Sequence, residues 1–185
     1  MGCIAVIDTE TNWSNQVMSV GVVIADDRTF KICDKKYYIF TPEYKIGGMF
    51  SYALTMLSQS DINRATRRDA LSSIRNWLSG MRVEQLYAYN AAFDKRMLPE
   101  LHDYQWHDIM RLAAYRQYNR FITDDIECCG TGRLKGKYGV ETVFQMMSGN
   151  PSYRETHNAL NDAVDELDIM KMLGLGIESY NVAKI

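Results

Sequence analysis

Hydrophobic positions open the chain as an unbroken run, Cys3-Ile4-Ala5-Val6-Ile7. Runs of this kind occur in strands covered on both faces, as at the centre of a sheet flanked by helices. Residues 17–25 (VMSVGVVIA) read as a second strand with Asp26-Asp27 as its turn, and 30–40 (FKICDKKYYIF) as a third. Three strands joined by short turns predict an antiparallel meander. The period then becomes helical. Leu71, Ile74, Leu78 and Met81 predict a helix over 67–79, closed near Gly80. A short strand is expected over 86–89 and a helix over 92–101, with Phe93, Met97, Leu98 and Leu101 inward. Another short strand is expected near Trp106, then a helix capped by Asp108 and running to about residue 118. Residues 119–139, with Gly130, Gly132, Gly136 and Gly139, read as a long loop. Helices over 140–147 and 158–173 complete the pattern, the last with Leu160, Ala163, Val164, Leu167 and Met170 on one stripe.

Strands first, then strands reached through helices, predict an α/β fold whose mixed sheet joins the antiparallel meander to parallel strands. At 185 residues, with no internal repeat or linker, one domain over 1–185 is expected. A hydrophobic share of 46% with only 3 prolines excludes a disordered chain. The formal net charge of −2 excludes a protein that coats nucleic acid by bulk positive charge. It does not exclude one that grips a nucleic-acid end in a single groove. Four cysteines are too few and too scattered for a disulfide framework, and adjacent Cys128-Cys129 lacks the spacing of a zinc ribbon. A reducing, cytoplasmic setting is the expectation. No apolar run approaches the roughly 20 residues of a membrane span, so no membrane partner is expected.

Three short motifs carry candidate chemistry. The first strand ends in Ile7-Asp8-Thr9-Glu10-Thr11, and strand alternation points Asp8 and Glu10 to the same side. Two carboxylates there repel each other unless a divalent cation neutralises them. Alone, such a pair also suits the start of a solvated loop. Tyr89-Asn90-Ala91-Ala92-Phe93-Asp94 follows the second short strand and places Asp94 in the first turn of a helix, where the dipole already favours it. Thr156-His157-Asn158-Ala159-Leu160-Asn161-Asp162 leads into the last long helix. His157 and Asp162 converge only if His157 precedes that helix and swings back over its first turn. His157 can accept a proton at neutral pH, and Asp162 falls near the edge of the buried face.

An apolar strand ending in DxE, a strand followed by NxxFD, and a last helix reached through HxxxxD resemble the DEDDh exonucleases of the RNase H-like superfamily. That group includes the proofreading epsilon subunit of bacterial DNA polymerase III, RNase T and oligoribonuclease. The resemblance runs over about residues 3–173, although Tyr89 stands where many members have histidine. It implies two divalent cations, Mg²⁺ or Mn²⁺, clamping a scissile phosphate. By the same resemblance Asp8, Glu10 and Asp162 hold the cation that activates water, Asp8 bridges to the second, and Asp94 supports it. His157 is then the general base, and the activity is 3′→5′ removal of nucleotides from single-stranded ends, DNA favoured over RNA. Thr9, Thr11, Trp13 and Phe93 are the residues placed nearest the terminal sugar and base. Among the basic residues, Lys95, Arg96 and the loop set Arg133, Lys135 and Lys137 are candidates for phosphate contacts.

The alternative is a non-catalytic module of the same fold that binds nucleic acid or acts as a scaffold, and the presence of all four acids and the histidine speaks against it. Residues 174–185 offer no obvious polymerase-binding tail, so a free-standing enzyme is favoured and polymerase association stays open. Two bound divalent cations would shift the formal charge from −2 to about +2 by addition.

Overall fold

The N-terminal apolar run forms β1 (Cys3–Thr11) in the computed structural model, which describes residues 2–185. Ile4 and Val6 enter the core on one side of the sheet, and Ala5 and Ile7 enter it on the other. β2 (Val17–Asp26) and β3 (Ile32–Phe40) complete the expected antiparallel meander. β3 starts later than its apolar pattern suggests. Asp26 Oδ1 accepts the main-chain N–H of Thr29 at 2.8 Å, and the turn it closes carries through Phe30 at φ 53°.

A further strand, β4 (Ile62–Ala65), runs parallel to β3 at the sheet edge. The sequence gives little sign of it, since only Ile62 of its four residues is buried. α1 (Arg67–Gly80) begins at Thr66, whose side chain accepts the N–H of Asp69, and buries Ala70, Leu71, Ile74 and Leu78. β5 (Gln85–Ala88) and β6 (Gln105–Asp108) run parallel beside β1, giving the order β4-β3-β2-β1-β5-β6.

Two helices are shorter than their apolar spacing predicts. α2 (Ala92–Met97) stops because Pro99 follows, and the residue before a proline is driven out of the helical region. α3 (Met110–Ala113) stops where the Asn119 side-chain amide donates to the Ala113 carbonyl at 2.6 Å. The glycine-containing segment beyond it is tied down rather than free. Leu134 N–H donates to Ala114 O, Arg116 N–H to Gly132 O, and Ile122 and Leu134 are buried. α4 (Val140–Ser148) and α5 (Ala159–Leu173) follow.

The sheet therefore lies between two helical layers. α3, α4 and α5 bury one face together with Tyr180, and α1 and α2 cover the other together with Trp106. No helix among the described residues is long and apolar enough to cross a membrane. β1 and β5, parallel neighbours, deliver their C-terminal ends to one edge between the layers. The DxE and NxxFD motifs both sit there.

Candidate active site

Alternation along β1 sorts the first motif. Asp8 and Glu10 share the phase of Ile4 and Val6 and face α5, whereas Thr9 shares the phase of Ala5 and Ile7 and faces α2. Thr9 Oγ1 donates a 2.7 Å hydrogen bond to Asp94 Oδ1, which fixes the α2 carboxylate against the end of β1. α2 itself is aimed by Asp108. Its Oδ1 accepts N–H bonds from Asn90 at 2.9 Å and Met110 at 3.0 Å, holding the left-handed turn at Asn90. Asp108 thus bridges two chain segments as well as starting the turn of α3.

α5 reaches the site through a missing side chain. Asp8 pairs in register with Gly21 on β2, and a Cβ at Gly21 would lie 2.2 Å from the Ala159 carbonyl oxygen. Only glycine lets the first turn of α5 lie against β2 here. Asn158 caps that turn, its Oδ1 accepting the N–H groups of Leu160 and Asn161, and its Nδ2 donates to Ala53 O at 2.8 Å. The N-terminus of α5 is thereby fixed both to itself and to the 51–55 turn.

His157 precedes the helix in the left-handed region, φ 54°, and its ring stacks on Phe50 with centroids 3.7 Å apart. Phe50 lies more than a hundred residues upstream, so no local pattern announces the contact. Ligand atoms of Glu10, His157 and Asp162 all lie within 4.8 Å of one another. The swing back over the first helical turn therefore occurs. Asp162 also accepts from Thr156 Oγ1 at 3.3 Å.

The carboxylates are held where ionisation is costly. Burial raises Asp8 well above the usual range, followed by the charges of Asp94, Glu166, Asp162 and Glu10. Burial, then Asp162, Glu155 and Asp94, lift Glu10 to about 8. Asp162 rises to about 8 through burial and then Glu155 and Asp165. Asp94 rises to about 7, mainly by burial, against the lowering hydrogen bond from Thr9. Burial also holds His157 below the ordinary imidazole value, against the opposing charge of Glu141, which favours the neutral ring that can accept a proton. Among the described residues none of these acids is in an ion pair.

This donor set fits a hard divalent cation. Asp8 Oδ2 is buried without a hydrogen-bond partner, and the neighbouring donors are carboxylate oxygens with one imidazole. A buried, repelling cluster without lysine or arginine is stable only if it stays partly protonated or takes up a cation.

The peripheral candidates are placed differently. Thr11 is half-buried and Trp13 is 69% exposed, its main-chain N–H donating to Gly47 O. Phe93 is half-buried against the α1 side, with the Arg96 guanidinium 5.5 Å from its ring centre. Lys95 donates to the Ile185 carbonyl and Lys135 pairs with Glu127. Arg133 lies over the Tyr138 ring. Three acids of this edge escape the motif reading: Glu155, raised to about 7 chiefly by burial, Asp165, and the fully enclosed Glu166. Helical spacing is the signal for Glu166, which stands four residues after Asp162.

No protein-family model matches the chain, and no curated protein matches it. Solved structures do. The nuclease domain of 3′hExo, a DEDDh family member bound to rAMP, superposes with a TM-score of 0.64 over 95% of this chain and 94% of that one, at 18% identity. The chain has the DEDDh exonuclease fold. A 3′-exonuclease that recognises the histone mRNA stem-loop superposes equally well, TM-score 0.64 at 14% identity, with this chain spanning 65% of its length. E. coli exonuclease I in complex with a dA16 oligonucleotide gives 0.62 at 12% identity, and this chain spans 41% of it. Its mixed sheet between helical layers is the architecture expected from the chain's pattern of strands and helices.

Proposed function

We propose that the protein is a divalent-metal-dependent exonuclease that hydrolyses phosphodiester bonds at the 3′ end of single-stranded nucleic acid. One observation carries the reading: Asp8 and Glu10 from β1, Asp94 from α2 and Asp162 from α5 meet at one edge of this fold with His157 beside them. Solved neighbours of the same fold include a complex with RNA and one with a single-stranded DNA oligonucleotide.

Asp8, Glu10 and Asp162 are the residues to hold one cation, and Asp8 with Asp94 the second, Mg²⁺ or Mn²⁺ by the hardness of the donors. Bound there, the cations supply positive charge to the scissile phosphate, the attacking water and the leaving oxygen. His157 takes the proton of the attacking water on a ring nitrogen as the oxygen–phosphorus bond forms, and the 3′ oxygen, as its bond to phosphorus breaks, takes up a proton from solvent to become the new 3′-hydroxyl. Stacking on Phe50 keeps that ring from rotating away. Thr9 holds Asp94 still while this happens. At the mouth, Thr11 and the main chain around Thr9 are the contacts for the terminal sugar. Exposed Trp13, with Met49 and Tyr52 also exposed on the neighbouring segment, suits stacking of unpaired bases without sequence preference. Phe93, already packed, is the weaker stacking surface.

Asp8→Ala and His157→Ala are the test. Each lowers the rate of nucleotide release in Mn²⁺ by about 10²-fold or more, with unchanged circular dichroism. Full activity in either variant contradicts the assignment.

A further inference from the structure

The strands β1, β5 and β6 run parallel, so the residues that follow β5 and β6 lie on the same edge of the sheet as Asp8 and Glu10. A cavity of about 370 Å³ opens on that edge, and none of the site acids lines it. Asn90 and Met110, each two residues beyond the end of its strand, line it with Tyr89, Arg133, Tyr138 and Gly139. Its floor is fixed by Asp108, whose Oδ1 accepts the main-chain N–H groups of both Asn90 and Met110. Its wall is fixed as well. Leu134 N–H donates to Ala114 O, Cys129 N–H donates to Arg133 O at 2.7 Å, and the Tyr89 hydroxyl donates to Tyr138 O.

Arg133 is the cation in this lining, and its chemistry indicates the ligand. Its guanidinium carbon lies 4.5 Å from the centre of the Tyr138 ring. Among the described residues it pairs with no carboxylate, whereas Lys135 on the same loop pairs with Glu127. A guanidinium that rests its face on a ring keeps its N–H donors, which lie in its own plane, free for a second partner. That fork matches two oxygens of a phosphate. Lys137, exposed on the same loop and also without a carboxylate partner among the described residues, adds positive charge. Exposed Asn90 and Gly139 leave the approach open. A strand whose terminal sugar sits at Thr9 and Thr11 leaves the site along this edge, and β5 and β6 are the neighbours of β1 on the side away from the meander.

We propose that this cavity holds a phosphodiester of the substrate strand upstream of the scissile bond, with Arg133 as its phosphate ligand and the Tyr138 ring as the support of the guanidinium. The inference rests on the exonuclease reading for where the 3′ end lies, and it adds a site that grips the strand without cutting it. It gives a chain of net charge −2 a local hold on a polyanion.

The test is the affinity of an oligothymidylate of about a dozen nucleotides, labelled at its 5′ end and read by fluorescence anisotropy in EDTA so that the strand stays whole. The linkages nearest its 3′ end are replaced, one per strand, by a neutral methylphosphonate. Each strand is offered to wild type, Arg133→Gln and Arg28→Gln. Arg28 lies in the β2–β3 turn beside the start of β1, at the opposite end of the sheet, so its variant controls for charge alone. Expected for Arg133→Gln is a loss of about tenfold in affinity and a salt dependence shallower by about 0.7 in log–log slope, with neither in Arg28→Gln. In wild type, neutralising one linkage upstream of the scissile one costs a similar factor, and in Arg133→Gln that linkage no longer matters. Unchanged affinity in Arg133→Gln, or losses that simply add, overturns the inference. Wild type also decides alone: an affinity indifferent to which upstream linkage is neutral overturns it. Thymidine 5′-monophosphate that displaces the strand as well as a second strand does makes the cavity a site for the free nucleotide, and overturns it too. Nucleotide release from the unmodified strand in Mn²⁺ is followed in parallel. If release fails while the linkage dependence holds, the catalytic reading falls and the cavity stands; the converse result removes the cavity alone.

Discussion

Thr9 shows how much of this site is set by single side chains. The β1 register sends it away from Asp8 and Glu10, yet its hydroxyl holds Asp94 at 2.7 Å and opposes the rise of that carboxyl. Thr9→Val keeps the shape and removes the donor. Hydrogen bonds to charged groups are worth about 1.5–3 kcal/mol, so the variant melts at a lower temperature in Mn²⁺ and needs more Mn²⁺ for half-maximal nuclease rate. Metal titrations of the two proteins check this. The motif acids and His157 were legible because strand period, helix start and spacing mark them in the sequence. Phe50 and Asn158's bond to Ala53 were not, since each depends on chain segments about a hundred residues apart.

At the scale of elements, the long apolar strands were the easiest to read and the short ones the hardest. β1, β2 and β3 each contain several buried residues in a row, whereas β4 buries only Ile62. Apolar spacing overstates the helices at 92–101 and beyond Asp108, because it continues past Pro99 and past Ala113. Local stops, a proline and the Asn119 amide, override it. The approach of α5 to β2 is a property of elements too. Gly21→Ala sets a methyl against backbone at 2.2 Å, which neither strand nor helix can relieve by rotating a side chain. Overpacking of this kind costs about 1–3 kcal/mol. The variant folds less stably and, by displacing Asp162 from Asp8, loses most metal affinity. Asn158→Ala, which removes the cap, lowers stability by about 1–2 kcal/mol in denaturant melts.

For the whole molecule, the small net charge conceals an uneven distribution. Acids without basic partners are gathered at one edge, and most ion pairs lie elsewhere, as in Arg67 with Glu100 and Arg75 with Asp103 on the α1 side. Folding raises the site carboxyls, Glu10 and Asp162 to about 8 and Asp94 to about 7. Unfolded, they titrate near 4. The folded state therefore binds more protons between these values, and the metal-free protein loses stability from the site as pH rises from about 4 to about 8. In EDTA, the stability of Asp162→Asn relative to wild type accordingly increases from pH 5 to pH 8, as read by thermal melts. Mn²⁺ reverses the order by neutralising the wild-type cluster. A wild-type advantage that grows with pH in EDTA contradicts this.

The most direct test of the account uses a single-stranded oligonucleotide carrying a label at its 5′ end. With Mn²⁺ the products form a ladder that shortens from the 3′ end one nucleotide at a time, and EDTA stops it. Release of the label as a mononucleotide at the outset, or an intact strand with Mn²⁺ present, contradicts it.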